Sequence, residues 1–461
     1  MGFIEQYVNL VSKYTDAPEI FVQASGYHII SNTLGPYFRI MSSKCDRPNL
    51  WFMLSSIPGR TRRSTIIGYD STVLQNAWTK FFIETSEENI SQKVAYQRYM
   101  TSVIETGSKQ GICDKIVSGI DQGLNVFDVH SHEYGDVLRQ MCQHTKTQTY
   151  TSGVDTLLSR LYYGESFVED LSRRRPKEEG GTIDRIIPAG LYITMFAGMQ
   201  EPKMYLTKDM NRQGLLRRIL ILHEKTEDMT MGRWKPPLTP MYTEHSNDLK
   251  EFASDLVKEM IRYKNALDSL KASFKPKWAD DIVLLYADLC DVVRNEINSR
   301  AKQQDENLIK DPSDFNIYQQ TLWENTTKLT ILEALASNAV VGKERTTMVI
   351  ASESHYQKAK EFMDRAQKNT EQMMEDLGVV ESDIHVDMDS DRVLRYIKKA
   401  GQEGITTSYL LTRTGYKAYQ LQECIRTLLK RECIKVEDSR NKTGRPGWIY
   451  YPEEPKKVQA T

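Results

Sequence analysis

Short apolar runs alternate with stretches of helical periodicity along the first half of the chain. Apolar residues in 4–14 recur at helical spacing, and Pro18 fits the first turn of a second helix. Three apolar runs of strand length predict buried strands at Leu50–Leu54, Leu124–His130 and Leu191–Ala197. A short strand is predicted at 37–41, and helices at 64–82, 88–105, 112–120, 134–142 and 154–163. Residues 1–232 therefore predict a domain that mixes helices and strands.

A proline-rich connector, Trp234–Pro240, predicts a domain boundary. Two apolar stripes with the spacing of packed helices follow it. The first comprises Leu249, Phe252, Ala253, Leu256, Val257, Met260 and Ile261, and the second Trp278, Ile282, Leu285, Leu289, Val292 and Val293. With further helices predicted at 319–336 and 354–374, we expect residues 233–382 to form an all-α domain.

The last segment, residues 383–461, predicts a small domain after an acidic linker. Its pattern comprises helices at 391–400, 406–411 and 417–431, then strands at 434–437 and 448–451. Three helices and a basic, glycine-tipped hairpin make a winged helix, which usually sets its third helix in the DNA major groove and its wing along the backbone. The residues expected to contact DNA are Lys417, Tyr419, Gln420, Arg440, Lys442 and Arg445. A winged helix that contacts protein instead remains open.

Composition narrows these possibilities only slightly. A length of 461 residues allows two or three domains, and a net charge of -1 means that any DNA binding must come from local basic patches. No apolar run reaches membrane-spanning length and the N-terminus lacks the layout of a signal peptide, so we expect a cytoplasmic, nucleoid-associated protein with no membrane partner. The six cysteines show no paired spacing and are expected to be reduced thiols.

Residues 50–70 carry the first candidate chemistry. An apolar strand leads into a loop and then into a helix, which is the layout of a phosphate-binding loop. On the pattern G-x-x-x-x-G-K-[ST], Ser64 matches the Mg²⁺-binding hydroxyl and Arg63 takes the lysine position, while Ile57 and Arg62 replace the glycines. The loop residues expected to contact ATP or ADP with Mg²⁺ are Gly59, Thr61, Arg63, Ser64 and Thr65.

The strand predicted at Leu124–His130 ends where P-loop ATPases carry a pair of carboxylates. Glu133 fits the position that activates water, but His132 precedes it in place of Asp. His130 and His132 share one face of this strand, so a metal-dependent nuclease using His130, His132 and Glu133 is a second alternative. No recognised ligand spacing supports it, and we assign no metal ligands.

Three further features are candidates for phosphate contacts. The basic residues Arg173, Arg174, Arg175 and Lys177 lie between two extended segments, either as a DNA-gripping hairpin tip or as a solvated loop. Gln200, which follows the strand at Leu191–Ala197, or Thr194 within that strand would sense a γ-phosphate; the alternative is an ordinary strand end. Arg217 and Arg218 follow Gly-Leu-Leu, and such an arginine can stabilise phosphoryl-transfer charge on a neighbouring subunit.

The order of these motifs resembles the helicase-like P-loop ATPases of phage, plasmid and archaeal mobile elements, which often accompany primases. More distantly it is similar to minichromosome-maintenance and RecA-type or AAA+ ring ATPases. The resemblance covers residues 3–225, from the helix start at Asp16-Ala17-Pro18 to Gly-Leu-Leu-x-Arg. It implies an α/β core with a mainly parallel sheet flanked by helices, then a helical lid. It also implies a homo-oligomeric ring, such as a hexamer, that acts on DNA with replication proteins.

We therefore expect a DNA-binding, ring-forming helicase- or translocase-like protein of DNA replication or mobile-element maintenance, with weakened or lost ATP hydrolysis. Side chains at Ile57, Arg62 and Arg63 crowd a loop that glycines normally open to phosphates. The alternative is an active ATP-dependent helicase that uses Ser64, Glu133 and Arg218.

Overall fold

Helices alternate with parallel strands through most of the chain in the computed structural model. The structure describes residues 1–41, 47–56, 61–105, 107–142, 154–170, 184–200, 218–224, 241–273, 283–310, 322–337, 340–343, 346–380, 393–414, 421, 424–425, 428–429, 433–438 and 448–452. It divides into two compact units, Met1–Glu375 and Asp376–Thr461. The predicted mixture of helices and strands, with a parallel sheet flanked by helices, is confirmed.

The elements of the first unit follow one another in a largely alternating order. The helices are α1 (Phe3–Val11), α2 (Glu19–Thr33), α3 (Arg63–Thr85), α4 (Gln92–Ser102), α5 (Lys109–Asp121), α6 (Gly135–Cys142), α7 (Val154–Tyr162), α8 (Met241–Ser273), α9 (Asp291–Lys310), α10 (Leu322–Ala336) and α11 (Glu353–Val380), which extends past the unit boundary. The strands are β1 (Phe38–Ile40), β2 (Trp51–Ser56), β3 (Val103–Ile104), β4 (Val126–Ser131), β5 (Phe167–Asp170), β6 (Asp184–Ile187), β7 (Tyr192–Met199), β8 (Leu220–Glu224), β9 (Leu285–Leu289), β10 (Val340–Lys343) and β11 (Thr346–Ala351).

The main sheet is parallel throughout, with the strand order β3-β4-β7-β2-β8. The three strands predicted from apolar runs correspond to β4, β7 and β2, and they lie side by side. Every residue of β2 and β7 is buried, as expected when helices cover both faces of a parallel sheet. The carboxyl ends of parallel strands share one edge, so Ser56, Ser131 and Met199 end on the same side.

Two helices of the first unit are buried almost all round. The buried residues of α2 extend from Ile20 to Thr33, and those of α10 include every residue from Asn325 to Ala336. A helix that is buried on all sides lies inside a core rather than on its surface. Because α2 packs against α3, β2 and β7, any polar group on it must find partners inside the protein.

A second sheet corrects the prediction that residues 233–382 are all α-helical. Its strand order is β1-β9-β11-β10, with β10 antiparallel to its neighbour. Of the residues predicted as the second helical stripe, Leu285 and Leu289 lie in β9 and Val292 and Val293 in the first turn of α9, while Trp278 and Ile282 lie outside the described residues. Leu285, Ala287 and Leu289 are buried in β9 while Tyr286 is exposed, which is the alternation of a strand. The predicted boundary near residue 233 therefore falls inside the first unit.

The second unit begins close to the predicted boundary at residue 383. Residues 393–400 form a helix, α12, and are followed by β12 (Ile405–Thr406) and α13 (Thr407–Thr414). Its last strands are β13 (Ile434–Asp438) and β14 (Trp448–Pro452), in a three-stranded antiparallel sheet of order β12-β14-β13. The unit has its own core, which includes Val393, Leu410, Leu421, Leu428 and Tyr450.

Over the part of the chain described above, no helix is long and apolar enough to cross a membrane.

Candidate functional site

The carboxyl edge of the main sheet brings together several of the predicted nucleotide-site residues. Ser55 at the end of β2 donates a hydrogen bond from Oγ to the Gln200 carbonyl, 2.8 Å away. The hydroxyl of Thr61 donates to that of Ser56, so the residues before α3 stay close to the end of β2. The ends of β2 and β7 are therefore joined beside the start of α3.

Arg63, which takes the lysine position of the phosphate-loop pattern, turns inward and pairs with Glu133. Its Nη2 lies 2.9 Å from Glu133 Oε2, and its Nη1 donates to the carbonyl of Met199. The backbone N–H of Gln200 donates to Glu133 Oε1 at 3.3 Å. Both carboxylate oxygens of Glu133 thus have a donor, and the guanidinium is engaged by two acceptors.

The backbone at the start of α3 has a special conformation. Arg62 precedes the helix with φ of 54°, in the left-handed region, and it alone among the described non-glycine residues has a positive φ. Glycine adopts this conformation without steric cost, whereas arginine does not. An ion pair of 3.3 Å between Arg62 Nε and Asp16 Oδ1 helps to hold it. Ser64 then lies exposed in the first turn of α3, and Thr65 is half-buried.

Gly198 permits the close packing around Arg63. A Cβ atom at Gly198 would lie 2.5 Å from the His132 carbonyl oxygen and 3.0 Å from Arg63 Nε. The carbonyl of Gly198 also accepts a 2.6 Å hydrogen bond from the N–H of Tyr134. A side chain here would push away the turn that carries Glu133.

Directly beneath this edge lies a buried cluster of two histidines and two carboxylates, which the sequence did not predict. His28 of α2 places Nδ1 2.9 Å from Asp70 Oδ2 and Nε2 3.0 Å from Asp128 Oδ1. His130 Nδ1 lies 3.2 Å from Asp128 Oδ2, two residues earlier on β4. The cluster therefore joins α2, α3 and β4 inside the core.

The charges in this cluster stabilise one another. Burial alone would lower the pKa of His28, but the charges of Asp70 and Asp128 and their hydrogen bonds raise it to about 10. Burial opposes ionisation of Asp128, yet His28 and His130 hold its pKa below its ordinary value. The pKa of His130 is raised despite burial, mainly through Asp128. Protonated His28 and His130 beside ionised Asp128 are thus the favoured state.

Neutral side chains extend the cluster on both sides. Thr194 of β7 donates to Asp128 Oδ1 at 3.0 Å and accepts from Asn32 Nδ2 at 2.8 Å. On the other side, Ser25 donates to Asp70 Oδ1 at 2.9 Å and contacts the Tyr7 hydroxyl at 2.7 Å. Thr194, expected as a possible phosphate sensor or an ordinary strand residue, therefore belongs to the buried network.

The arrangement around His130 does not fit the metal-dependent nuclease alternative. Its Nδ1 faces Asp128 and its Nε2 faces the Ile67 carbonyl at 3.3 Å, so a protonated ring donates from both nitrogens. Such a ring has no lone pair left for a metal. Glu133 is already paired with Arg63. Within the described part of the chain, no group of three His, Cys, Asp or Glu residues can hold a metal ion.

Arg218 lies at the opposite edge of the sheet from Glu133. It precedes β8, whose first residue pairs with Phe52 near the amino end of β2. Its guanidinium lies 4.8 Å from the Tyr163 ring centroid. The five residues of β8, at about 3.3 Å per residue, separate the two edges by about 16 Å. Within one chain, Arg218 therefore does not join Glu133; Arg217 lies outside the described residues.

The predicted DNA contacts fall outside the described residues. These are Arg173, Arg174, Arg175, Lys177, Lys417, Tyr419, Gln420, Arg440, Lys442 and Arg445. Gly59, which is predicted to contact a nucleotide, also lies outside the described residues. The structure does describe β5 and β6 as an antiparallel pair on either side of the first four. It also describes β13 and β14 as the antiparallel pair on either side of the last three.

Neither the models of known protein families nor the curated protein sequences match this chain.

Proposed function

We propose that the protein is a DNA-binding, ring-forming relative of the RecA-type and AAA+ P-loop ATPases whose ATP hydrolysis is weakened or lost. The observation that carries this proposal is the ion pair between Arg63 and Glu133 at the carboxyl edge of the main sheet. The pair joins Arg63, at the lysine position of the phosphate-loop pattern, to Glu133, the residue that would have to activate water.

The strand order supports membership of the P-loop class. β2, which leads into the phosphate-loop segment, lies between β7 and β8, and β3 lies at the far edge. The resemblance to RecA-type ATPases implies a mainly parallel core sheet flanked by helices, and all five strands of this sheet are parallel. Ligands of open parallel sheets bind at the carboxyl ends of the strands, where Ser64, Glu133 and Gln200 lie. Arg62 occupies the second glycine position of the pattern and has a left-handed backbone, a conformation that glycine adopts without steric cost.

The contacts of Arg63 support the loss of turnover. A general base must be able to accept a proton from the attacking water, and Glu133 instead accepts from Arg63 and from the Gln200 N–H. Arg63 would have to leave two acceptors before it could contact a phosphate. The planar, forked guanidinium of Arg63 is well shaped to pair with a carboxylate. It does not reproduce the compact ammonium group of a lysine. The exposed Ser64 is the observation that keeps an active ATPase as the second candidate.

The architecture of the second unit supports the DNA-binding part of the proposal. The order of elements matches that of a winged helix. A helix, a short strand and a second helix come first, and helical residues between 421 and 429 precede two antiparallel strands. The hairpin β13–β14 flanks Arg440, Lys442 and Arg445, three cations with no acidic residue among them from Arg440 to Arg445. Cations at a wing tip are suited to contact DNA phosphates.

One experiment tests the ATP part of this proposal. We expect the full chain, with or without DNA, to hydrolyse ATP no more than about twofold faster than Glu133→Gln, because Glu133 is already paired. A rate at least tenfold above that of the variant would establish the active helicase candidate instead. Absence of ADP and ATP binding at millimolar nucleotide would remove the nucleotide site altogether.

A second experiment tests DNA binding. The triple variant R440A/K442A/R445A should bind DNA more weakly and with a smaller salt dependence than the wild type, since each phosphate contact contributes to the slope. The matched control K93A/K250A/K258A removes three exposed cations from the first unit. Equal losses in both variants would argue against a DNA site at the wing.

A further inference from the structure

A second concave surface of the first unit lies far from Arg63 and Glu133, at the amino edge of the main sheet. A cavity of about 750 Å³ opens beside the residues that precede β4 and β7, between the C-terminal parts of α3 and α8. Sites for small organic ligands span about 300–1,000 Å³. The cavity is therefore large enough for a ligand the size of a nucleotide.

The chemistry of the lining selects for a ligand that is both aromatic and anionic. Trp78, Phe81 and Phe82 of α3 are aromatic residues of the cavity lining. The cations at the cavity are Arg47, Arg98, Lys264 and Lys271. Among the described lining residues the only carboxylate is Asp268, and Lys264 lies 2.6 Å from it. The positive charge therefore exceeds the negative charge around an aromatic wall.

Arg98 is the residue best placed for recognition. Its guanidinium lies 4.7 Å from the centroid of the Phe82 ring, and its Nη2 donates to the Gln122 carbonyl at 2.9 Å. Its Nε is buried and has no hydrogen-bond partner among the described residues. A guanidinium fixed on a ring also offers its other face to a planar base.

We propose that this cavity binds one nucleotide, with its phosphate at Arg98 and Lys271 and its base against the aromatic and guanidinium surfaces of α3 and α4. The nucleotide is either a free nucleoside phosphate or a single unit of a nucleic-acid strand, because both present the same base and phosphate. The site uses none of the phosphate-loop residues, so it stands independently of the ATP chemistry proposed above.

The test uses the full chain carrying R440A/K442A/R445A, so that the wing does not dominate DNA binding. Thymidine monophosphate and a short oligothymidylate are the two probes, and their affinities are measured at one fixed low salt concentration. Lys271→Glu reverses an exposed charge at the cavity, while Lys258→Glu makes the same change elsewhere on α8. We expect K271E to weaken binding about tenfold and K258E by less than about twofold. Arg98→Gln should weaken binding similarly, with thermal melting as a check on its fold.

The two probes distinguish the source of the nucleotide. Binding of both identifies a site open to free nucleotides, whereas binding of the oligonucleotide alone identifies a unit of a strand. Photo-crosslinking supplies a second readout, because a thymine in the cavity should attach to the peptide that contains Trp78 to Phe82.

Five outcomes would overturn the proposal. The first four are no binding of either probe, equal weakening by K271E and K258E, crosslinks confined to other peptides, and displacement of the probe by an acidic peptide that binds more tightly than any nucleotide. Loss of probe binding in Ser64→Ala with K271E unaffected would move the nucleotide to the phosphate loop. That result would support the proposed function while removing the cavity site, so the two failures are distinguishable.

Discussion

At the scale of single residues, Arg63 and Glu133 differ in how much water reaches them: 9% of the Arg63 side chain is exposed against 37% of Glu133. Water around Glu133 screens its charge and weakens the ion pair. The guanidinium of Arg63 is buried, so losing its acceptors would leave an unpaired charge away from water. In a double-mutant cycle of Arg63→Ala and Glu133→Ala, measured by urea unfolding, we expect a coupling energy of about 1–2 kcal/mol. Coupling below a few tenths of a kcal/mol would mean that the ion pair does not hold the site closed.

His28 should contribute more to stability than the Arg63–Glu133 pair because no water screens it. Replacing His28 by Gln leaves Asp70 and Asp128 buried without their shared cation. We expect H28Q to lower the free energy of unfolding by about 3–5 kcal/mol, the usual cost of breaking a buried ion pair. Lys258→Gln, at an exposed side chain, is the control and should change it by less than about 0.5 kcal/mol. Equal stability of H28Q and wild type would show that the cluster is neutral.

The same histidine predicts a pH dependence. The pKa of His28 rises from 6.5 to about 10 on folding, so its stabilising effect is complete below pH 6.5 and is lost as the pH approaches 10. Asp70, Asp128 and His130 face the ring directly. Urea unfolding at a series of pH values should show the stability difference between wild type and H28Q shrinking across this window. A difference that stays constant with pH would contradict a charged His28.

The sequence contained a signal for this cluster, although its partners could not be read from it. Asp128 lies inside an apolar strand, and a charged side chain at a buried position needs a partner. His28 and Asp70 lie 100 and 58 positions away along the chain, on helices whose relative placement is fixed only by tertiary packing. By contrast, the Arg63 and Glu133 positions were predicted as one site because both follow the carboxyl ends of core strands.

At the scale of secondary-structure elements, Gly198 controls how closely β7 approaches the turn after β4. Gly198→Ala would place a Cβ 2.5 Å from the His132 carbonyl oxygen, a backbone atom that cannot move alone. We expect G198A to lower the free energy of unfolding by about 1–3 kcal/mol through overpacking. Gly68→Ala is the matched control, since nothing lies within 4 Å of its Cβ position in α3 and alanine favours a helix by about 1 kcal/mol. Destabilisation by both variants, measured by thermal or urea unfolding, would contradict this explanation.

Element prediction succeeded where a pattern had one structural solution. The apolar runs that became β2, β4 and β7 are bounded by turns and too short for helices, so their type was clear. Leu285 to Val293 was ambiguous because Leu285, Leu289, Val292 and Val293 fit helical spacing, while Leu285, Ala287 and Leu289 fit a strand. The strand forms because β1 and β11 supply parallel neighbours on both sides of β9, and neither neighbour is visible in the local sequence.

At the scale of the whole molecule, the chain divides into two compact units. The first unit contains the Arg63–Glu133 ion pair and the buried histidine cluster, and the second has a core of its own. The acidic linker predicted at residues 383–391 lies within the second unit, which begins at Asp376. The connector at Trp234–Pro240 lies within the first unit, where β1 before it pairs with β9 after it. Long-range strand pairing thus overrode a local boundary signal.

Separate cores allow the contribution of the second unit to DNA binding to be measured directly. Deletion of residues 391–461 removes the second unit after α11 and leaves the elements of both larger sheets in place. We expect the truncated chain to keep its cooperative unfolding but to bind double-stranded DNA at least about tenfold more weakly, with a lower salt slope, because the proposed phosphate contacts of the wing are lost. The control is the full chain with R440A/K442A/R445A, which should reproduce most of the loss without removing any element. An unchanged affinity and salt slope after the deletion would place the DNA contacts in the first unit and overturn the assignment of a DNA-binding winged helix.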